Sequence, residues 1–397
     1  MDNIPAIEGG SPQRTTYLPY GRQWIDVEDI NKVIDVLKGD YLTTGPNIEA
    51  FEKKIIDYTG AKYAAAFANG TAALHGAAFA TDIKPGDEVI TTPITFAASA
   101  NCIIYQGGTP VFADIDNKTY NIDPVSIEKH ITDRTKAIIP VDFTGQPADL
   151  DSIMNIAKKY NLVVIEDAAH ALGATCKGKK AGSFSDMTMF SFHPVKHITT
   201  GEGGIITTDN KDYYEKLIQF RSHGITKDAS KFIDNHGSWY HEMQFLGYNY
   251  RMTDIQAALG ISQFEKLDKY ISVRRKYADI YNKAFEDIPQ ITIPYQTKDG
   301  NSSWHLYIIR LNLAKLTVGR KQIFDALLKE NIGVNVHYIP VYYHPYYKSL
   351  GYKKGICPNA EKLYEEIITL PLFPKMAEKD INDVIIAVKK VINYYTK

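Results

Sequence analysis

Residues 162–174 read LVVIEDAAHALGA, and this stretch decides the fold class. Four consecutive aliphatic residues, Leu162 to Ile165, predict a central strand that is buried on both of its faces. The strand runs directly into Asp167, so a carboxylate is expected at its carboxyl end. Ligands of open α/β sheets bind beyond the carboxyl ends of the strands. The stretch therefore predicts a covered sheet with a polar group at its ligand-binding edge.

Short apolar runs on both sides of this strand alternate with helical patterns. TAALHGAAFATDI (71–83) and DLDSIMNIAKKYN (149–161) are two of the helix-like stretches. Such alternation predicts an α/β fold with a mostly parallel sheet covered by helices on both faces. The predicted strands are 63–69, 87–94, 109–115, 135–143, 162–168, 187–193 and 203–209.

A first helix is predicted over DVEDINKVIDVLKGDY (26–41). Asp26 is the candidate N-cap and Gly39 the candidate stop. The apolar residues recur at helical spacing. They are Ile30, Val33, Ile34 and Leu37.

The alternation of predicted strands and helices ends after residue 254. A charged amphipathic stretch reaching Asp287 predicts one long helix or two. Beyond it, strands are predicted at 305–311 and 334–340, with a final amphipathic helix near the C-terminus. The predicted regions are an N-terminal arm (1–20), a large α/β domain (21–255), and a linking helix with a small α+β domain (256–397).

Charge and composition exclude several classes of protein. The 397 residues carry 45 Lys and Arg against 46 Asp and Glu, a net charge of -1. That balance disfavours a broad basic surface for nucleic acid and a polybasic membrane patch. No apolar stretch approaches the ~20 residues of a membrane helix. We therefore expect neither nucleic acid nor a membrane as a partner.

Cysteine and histidine usage point to a reducing compartment and no metal. Cys102, Cys176 and Cys357 form no CxxC motif and are odd in number. The N-terminus lacks the pattern of a signal peptide, so a cytoplasmic location is expected. His193 and His197 lack metal-ligand spacing with any cysteine or carboxylate cluster, and no metal is predicted.

Three predicted strand ends deliver reactive groups to the same edge. Asp167 follows one strand, and Ser191 and Lys196 follow another within SFHPVKHITTGEGG (191–204). Gly70 and Thr71 open a helix whose first N–H groups are free to bind an anion. Each feature alone has an ordinary alternative. The helix start could be a plain cap, Asp167 could cap the turn after it, and Lys196 could be a solvated lysine.

Taken together, these groups fit one cofactor. A buried lysine for a Schiff base, an aspartate for a pyridinium nitrogen, and a helix N-terminus with a serine for a phosphate suit pyridoxal phosphate (PLP). Lys196 follows Asp167 by 196 − 167 = 29 residues. The order along the chain is phosphate turn, aspartate, serine and lysine.

Nearly the whole sequence resembles the DegT-type nucleotide-sugar aminotransferases, which are PLP enzymes with the aspartate-aminotransferase fold (fold type I). The similarity implies a large domain with a mostly parallel mixed sheet and a smaller C-terminal α+β domain. The segments that carry it are YLTTGPNIEAFE (41–52), FANGTAAL (67–74), DEVITTPITFAASAN (87–101), PVFADID (110–116), VIEDAAHALGA (164–174), FSFHPVKHITTGEGG (190–204), FRSHG (220–224), GYNYRMTDIQAALG (247–260) and VHYIPVYYHPYY (336–347).

This resemblance implies roles for the cofactor residues. Lys196 attaches the cofactor and shuttles a proton, while Asp167 keeps the ring nitrogen protonated. Asn249 reaches the phosphate from the partner subunit of a homodimer with shared sites. His170, where many relatives have Gln, lies beside the ring oxygen. The implied cofactor contacts are Gly70, Thr71, Ala72, Phe96, Asp167, His170, Ser191, Lys196 and Asn249.

The resemblance also implies the substrates. L-Glutamate is the amino donor, and the acceptor is the C4 ketone of a UDP-linked 4-keto-6-deoxy-N-acetylhexosamine, as in pseudaminic acid synthesis. Arg221 and Arg251 are candidates for binding the glutamate carboxylate. The implied nucleotide-sugar contacts are Tyr20, Leu42, Thr43, Thr44, Gly45, His337, Tyr338, Ile339 and Pro340.

Alternatives stay open at this point. Phe96 could belong to the core, Asn249 could be a turn residue, and His337 and Tyr338 could lie in a packed strand. A 3- or 4-aminotransferase for dTDP- or GDP-linked sugars, or a PLP-binding regulator without turnover, fits the same motifs. A sugar dehydratase on this scaffold is disfavoured because Lys196 is present. A nicotinamide dehydrogenase is disfavoured because no GxGxxG follows a strand.

Overall fold

A computed structural model describes residues 3–234 and 236–397 of the chain. The strands are β1 (Tyr63–Phe67), β2 (Glu88–Thr91), β3 (Thr109–Phe112), β4 (Thr135–Ile139), β5 (Val163–Asp167), β6 (Thr175–Cys176), β7 (Lys179–Lys180), β8 (Met187–Ser191), β9 (Gly204–Thr208), β10 (Ile225–Thr226), β11 (Glu242–Met243), β12 (Ile291–Thr292), β13 (Gly300–Asn301), β14 (Tyr307–Leu311) and β15 (Ile367–Leu370). The α-helices are α1 (Val27–Lys38), α2 (Pro46–Thr59), α3 (Gly70–Ala80), α4 (Ala98–Tyr105), α5 (Pro124–Lys129), α6 (Leu150–Tyr160), α7 (Lys211–Phe220), α8 (Asp254–Phe264), α9 (Leu267–Phe285), α10 (Arg320–Lys329), α11 (Pro345–Ser349), α12 (Pro358–Glu366) and α13 (Glu378–Tyr394).

Seven strands form the central sheet in the order β1-β9-β8-β5-β4-β2-β3. All neighbours from β3 to β8 are parallel, and β9 runs antiparallel to both β8 and β1. Each predicted strand of the large domain is present at the expected place. The mixed, mostly parallel sheet confirms the predicted α/β fold class.

The sheet orientation gathers three strand ends at one edge. Because β9 is antiparallel to both of its neighbours, β1, β5 and β8 all run in the same direction. Gly204, at the start of β9, lies between Phe67 and Ser191. A Cβ on Gly204 would lie 2.6 Å from the carbonyl oxygen of Asn69, so only glycine allows the chain after β1 to come this close. We call this edge the rim.

The linking region consists of two helices, α8 and α9, since Glu265 and Lys266 separate them. Helix α9 packs with α10 and α13 against a three-stranded sheet of order β12-β14-β15. Its fully buried Arg274 donates to the carbonyl oxygens of Trp304, His305 and Leu372. These contacts tie α9 to the small sheet and to the chain just before β14.

The strand predicted at 334–340 is wrong. Only Asn335 pairs there, through a single bridge to Thr369 in β15. The chain then turns toward the large domain, and Pro340 precedes a short 3-10 helix at Val341–Tyr343. Apolar and polar residues alternate here as in a strand, but residues 335–339 in succession line a cavity.

The N-terminal segment lies against the small domain. The backbone N–H groups of Ala6 and Gln13 donate to the buried carboxylate of Glu330, at 2.8 and 2.7 Å. Leu18 pairs with Ile332, and the N–H of Leu372 donates to the Tyr20 carbonyl oxygen at 3.1 Å. These bonds fix where Tyr20 lies. Residues 1 and 2 of the predicted arm lie outside the described residues.

Helix α1 begins with the predicted N-cap, since the Asp26 side chain accepts from the N–H groups of Glu28 and Asp29. Its apolar stripe, however, faces outward. Ile30 is 50% and Leu37 56% exposed, whereas Asp29 is fully buried. Asp29 takes the inner face because it accepts from Gln263 in α8 and pairs with Lys266.

No helix within residues 3–234 and 236–397 is long and apolar enough to cross a membrane. The three cysteines are free thiols, and Cys102 and Cys357 are buried.

Candidate active site

A cavity of about 1070 Å³ opens at the rim, between the sheet and the small domain. Asp167 at the end of β5, Ser191 at the end of β8 and Gly70 after β1 all line it. Lys196 lines it as well, four residues after Phe192, whose N–H donates to the Gly203 carbonyl oxygen at 2.9 Å. The cavity thus unites the groups that the sequence places at separate strand ends.

Asp167 is a buried carboxylate with two hydrogen-bond donors. Its Oδ2 accepts from Ser99 Oγ at 2.6 Å, and its Oδ1 accepts from the Ala169 N–H at 3.1 Å. Burial raises the pKa of Asp167, while the Ser99 and Ala169 bonds and the charge of Lys196 oppose that rise. A carboxylate in such a place is stabilised by a cationic donor in front of it.

Lys196 is held by a tight turn. Its N–H donates to the His193 carbonyl oxygen at 2.9 Å, and the Thr200 N–H donates to the Phe192 carbonyl oxygen at 3.0 Å. Burial lowers the pKa of the Lys196 ammonium to about 8, with Asp167 opposing and Arg274 assisting that change. Near neutral pH the amine can therefore both accept and return a proton.

The N-terminus of α3 forms a cradle opposite Ser191. Asn69 is the N-cap, and its Oδ1 accepts from the Ala72 N–H at 2.8 Å. The N–H groups of Gly70 and Thr71 belong to the first turn, where the helix offers them no acceptor. A Cβ on Gly70 would lie 3.3 Å from Met189 Sδ and 3.4 Å from Ser191 Oγ, so glycine lets the helix start approach that hydroxyl.

His170 and Tyr338 form one side of the cavity. His170 Nε2 lies 3.0 Å from the Tyr338 hydroxyl, and burial lowers the pKa of His170, so the ring is neutral. His170 Nδ1 is buried and has no hydrogen-bond partner among the described residues. Phe96 is 63% exposed and lines the cavity, which excludes the core alternative for this residue.

The cavity fits pyridoxal phosphate on four observations. The Gly70 cradle and Ser191 offer neutral N–H and O–H donors to a phosphate. Asp167 is a buried carboxylate suited to a ring N–H, and Lys196 is a buried amine of lowered pKa. Exposed Phe96 supplies an aromatic face beside them. These are the parts that the cofactor requires.

Most of the predicted site residues line this cavity, and some do not. Those that line it are Tyr20, Gly70, Thr71, Ala72, Phe96, Asp167, His170, Ser191, Lys196, His337, Tyr338 and Ile339. Those that lie outside its lining are Leu42, Thr43, Thr44, Gly45, Asn249 and Pro340.

The segment 42–45 packs on the start of α8 instead. The Leu42 carbonyl oxygen accepts from the Asp254 N–H at 3.0 Å, and Asp254 Oδ2 accepts from the Gly45 N–H at 2.6 Å. Asn249 is exposed and pairs with Ser222. Pro340 is buried behind the cavity wall.

Neither candidate for the glutamate carboxylate lines the cavity in this chain. Arg221 pairs with Glu52 at 2.6 Å and also donates to the Ala66 carbonyl oxygen. Arg251 bridges to Phe67 through its backbone. Arg221 is thus engaged in joining α7 to α2, which makes it a structural residue here.

Two residues of the site escaped the sequence analysis. Ser99 lies on α4, and its importance comes from its contact with Asp167, 68 residues further along the chain. His305 lies with its Nε2 3.5 Å from Lys196 Nζ. It comes from the small domain, 109 residues further along the chain, so no local pattern could connect the two.

Comparisons with known proteins agree with this geometry. SpsC of Bacillus subtilis, a spore coat polysaccharide biosynthesis protein, is 44% identical over 382 residues, covering 96% of this chain and 98% of SpsC. Helicobacter pylori PseC, an aminotransferase involved in the biosynthesis of pseudoaminic acid, has a TM-score of 0.89 at 34% identity, covering 96% of this chain and 100% of PseC.

A further similar structure is the sugar aminotransferase Spr1654 of Streptococcus pneumoniae. Its PMP form has a TM-score of 0.89 at 34% identity, covering 95% of this chain and 99% of Spr1654. A PLP form of Spr1654 is also similar, with a TM-score of 0.88. Residues 23–389 match the DegT/DnrJ/EryC1/StrS aminotransferase family. The chain therefore belongs to the DegT/DnrJ/EryC1/StrS aminotransferase family, as the sequence predicts.

Proposed function

We propose that this protein is a PLP-dependent sugar aminotransferase that moves the amino group of L-glutamate to the C4 ketone of a UDP-linked 4-keto-6-deoxy-N-acetylhexosamine. The proposal rests on the observation that Lys196 and Asp167 line the same cavity. The Gly70 and Ser191 cradle lies beside them. SpsC and PseC, which act in polysaccharide and pseudoaminic acid biosynthesis, favour a role in a surface glycan.

The predicted cofactor is confirmed by the family and by the PLP and PMP forms of Spr1654. When bound, pyridoxal phosphate supplies an electron-withdrawing ring that stabilises negative charge on the carbon next to the reacting nitrogen. We assign the phosphate to the N–H groups of Gly70 and Thr71 and to the Ser191 hydroxyl. We assign the ring nitrogen to Asp167, one ring face to Phe96 and the ring oxygen to His170.

Lys196 moves the proton in both halves of the reaction. Its amine takes the proton from the α-carbon of the donor and returns it to the carbon on the other side of the reacting nitrogen, and the keto sugar is aminated by the reverse sequence. The pKa of about 8 keeps both protonation states accessible near neutrality. Ser99 and the Ala169 N–H both donate to Asp167 and favour its ionised form against the burial that raises its pKa.

Neutral groups line the part of the cavity that we assign to the sugar. We name Tyr20, Asn335, His337, Tyr338 and Ile339 the outer wall. Burial lowers the pKa of His337 to about 3, so its ring is neutral, and its Nδ1 lies 2.9 Å from Thr369 Oγ1. Neutral donors and acceptors suit sugar hydroxyls. The dTDP- and GDP-linked sugars are the alternative acceptors.

A homodimer with shared sites explains why some predicted site residues lie outside the cavity of their own chain. Segment 42–45 and Asn249 would then reach the partner's cavity, as the family resemblance implies. The outward apolar stripe of α1, ending at Leu37, continues into exposed Tyr41 and Leu42. Exposed apolar side chains concentrated in one segment in this way are typical of an interface. A cytoplasmic location remains a prediction based on the composition.

Absorbance spectroscopy and product analysis test the reaction. Purified protein loaded with PLP should be yellow, and L-glutamate should bleach it, while D-glutamate should not. The bleached protein is then offered UDP-, dTDP- and GDP-linked 4-keto and 3-keto sugars, and each product is identified by NMR. Amination of the UDP-linked 4-keto sugar in preference to the others is expected. Preference for another nucleotide or another ketone contradicts the substrate assignment, and a lack of bleaching contradicts the aminotransferase itself.

Subunit mixing tests the shared site. Lys196→Ala and Asn249→Ala are each expected to be impaired as separate preparations. Mixed dimers contain one site with both defects and one site with neither, so activity should return on mixing. No recovery, after exchange of subunits is verified by mass, contradicts a contribution of Asn249 from the partner.

A further inference from the structure

His305 is a buried side chain to which the proposed mechanism assigns no role. It lies just before β14 of the small domain and reaches the rim, where its Nε2 is 3.5 Å from Lys196 Nζ. Its backbone carbonyl oxygen accepts from the buried guanidinium of Arg274 at 3.1 Å. The ring packs against that of His170 with 4.3 Å between centroids. His305 is therefore fixed from both sides, and its position does not depend on a mobile surface loop.

The ring of His305 is neutral, because burial and the neighbouring cations lower its pKa well below the usual value. A neutral imidazole has one N–H donor and one bare acceptor nitrogen. An ammonium group has only donors to offer. Facing the ammonium of Lys196, Nε2 must therefore be the acceptor, and Nδ1 carries the hydrogen.

We propose that His305 is a positioning residue for Lys196: its Nε2 accepts an N–H from the free amine and holds the ammonium in place between taking and returning the substrate proton. This inference rests on the proposed function. The α C–H bond of the donor breaks, its electron pair stays on carbon, and a new N–H bond forms on Nζ. His305 accepts a hydrogen bond from that ammonium and takes no proton itself.

Without such an acceptor, the freed lysine has several rotatable bonds and no fixed direction. Proton transfer requires the donor and acceptor atoms to be within hydrogen-bond reach in a defined orientation. Asp167 is the nearby anion, and its two oxygens already accept from Ser99 and Ala169. His305 therefore supplies the acceptor that keeps the Lys196 ammonium over the reacting carbons.

Two substitutions of similar size separate positioning from packing. His305→Gln places an amide near the position of Nε2, whereas His305→Asn places it near Nδ1, too short to reach Lys196. Both variants and the wild type are loaded with PLP, and the rate of bleaching by L-glutamate is followed by stopped-flow absorbance. The yellow absorbance before mixing reports cofactor loading, and the dependence of the rate on glutamate concentration reports donor binding.

For His305→Asn we expect bleaching to slow roughly tenfold to a hundredfold, the range for a lost charge-assisted hydrogen bond. Loading and glutamate dependence should stay as in the wild type, and His305→Gln should recover most of the rate. An unchanged rate in His305→Asn, or equal slowing in both variants, overturns the positioning role. A yellow wild type that glutamate does not bleach overturns the proposed function instead.

A measurement on the wild type covers the case in which His305→Asn does not fold. Protein containing nitrogen-15-labelled histidine is converted to the PMP form, in which Lys196 is free, and its histidine tautomers are read by NMR. The His305 signal is identified by its loss in His305→Gln. A bare Nε2 with a protonated Nδ1 is expected, and the reverse tautomer overturns the proposal.

Discussion

The rim and the outer wall of the cavity differ in how completely one chain builds them. At the rim, Asp167, Ser191 and Lys196 come from two neighbouring strands, and each is fixed by hydrogen bonds within the chain. At the outer wall, Tyr20, Asn335 and the segment 337–339 line the cavity, but segment 42–45, which is also expected to contact the nucleotide sugar, does not. One end is supported by a sheet, and the other is assembled from distant segments.

This difference has a physical origin. Parallel strands bring their carboxyl ends to one edge without help from any other chain, so the rim follows from the sheet topology. The wall depends on the docking of the N-terminal segment on the small domain and, under the proposed function, on a second subunit. Substitutions at the rim should therefore impair both half-reactions. Substitutions at the wall should impair the half-reaction with the sugar.

The largest effect is expected at the rim, from Lys196→Ala. Removing the amine deletes the group that moves the proton, so both half-reactions should slow by roughly a thousandfold or more. The cavity around it is unchanged, so PLP should still bind without a covalent bond. Stopped-flow absorbance measures the rates, and equilibrium dialysis measures the cofactor. Retention of a substantial rate in this variant contradicts the assignment of Lys196.

The next effect is expected from α1, with Leu37→Glu. A charge in the middle of an apolar interface is costly, so the dimer dissociation constant should rise roughly a hundredfold or more. Activity in dilute solution should fall along with the dimer. Analytical ultracentrifugation and a dilution series of the assay measure both quantities.

Ile386→Glu is the matched control for Leu37→Glu. Ile386 is an apolar residue that is 41% exposed on α13 of the small domain, far along the chain from the α1 stripe. It receives the same charge on another exposed helix face, and the dimer should persist. An interface at α1 is contradicted if both variants dissociate equally. It is also contradicted if Leu37→Glu leaves the dimer as stable as that of the wild type.

Helices α1 and α13 also show how far an amphipathic pattern can be interpreted. The pattern at 26–41 predicts the helix and its N-cap correctly, yet the apolar stripe faces outward and Asp29 takes the buried side. The stripe of α13 is buried within the chain, through Val384, Val388 and Val391. Periodicity shows that a face needs covering, and it does not identify the molecule that covers it.

The candidate site shows the same limit. The rim was predictable because its reactive residues end a strand, as Asp167 ends β5, or follow one within a few residues, as Lys196 follows β8. Ser99 and His305 were not predicted, since their importance comes from contacts made in three dimensions. The segment 334–340 was predicted as a strand because alternation alone cannot separate a paired strand from a cavity wall. The one bridge in this segment joins Asn335 to Thr369 in β15 of the small sheet.

A smaller effect at the rim is expected from Ser99→Ala. Ser99 donates to Asp167 at 2.6 Å, and its loss lets burial raise the pKa of Asp167 further. A less fully ionised Asp167 holds the ring nitrogen less well, so both half-reactions should slow roughly tenfold. Thr91→Val is the control, because Thr91 is buried in β2 of the central sheet and donates only to the Ile139 carbonyl oxygen. Slowing of the sugar half-reaction alone contradicts the role of Ser99 at the rim.

The smallest effect is expected at the outer wall, from Tyr20→Phe. The Tyr20 ring packs beside His337, 5.3 Å between centroids, and this contact survives the loss of the hydroxyl. The substitution removes a hydrogen bond to the sugar and the interaction of the Tyr20 hydroxyl with Asn335, so KM for the keto sugar should rise roughly threefold to tenfold. The rate of bleaching by L-glutamate should not change. Tyr17→Phe, at an exposed position of the same segment, should leave both measurements unaltered. If Tyr20→Phe slowed the glutamate half-reaction as much as the sugar half-reaction, the two ends of the cavity would not be separate in function.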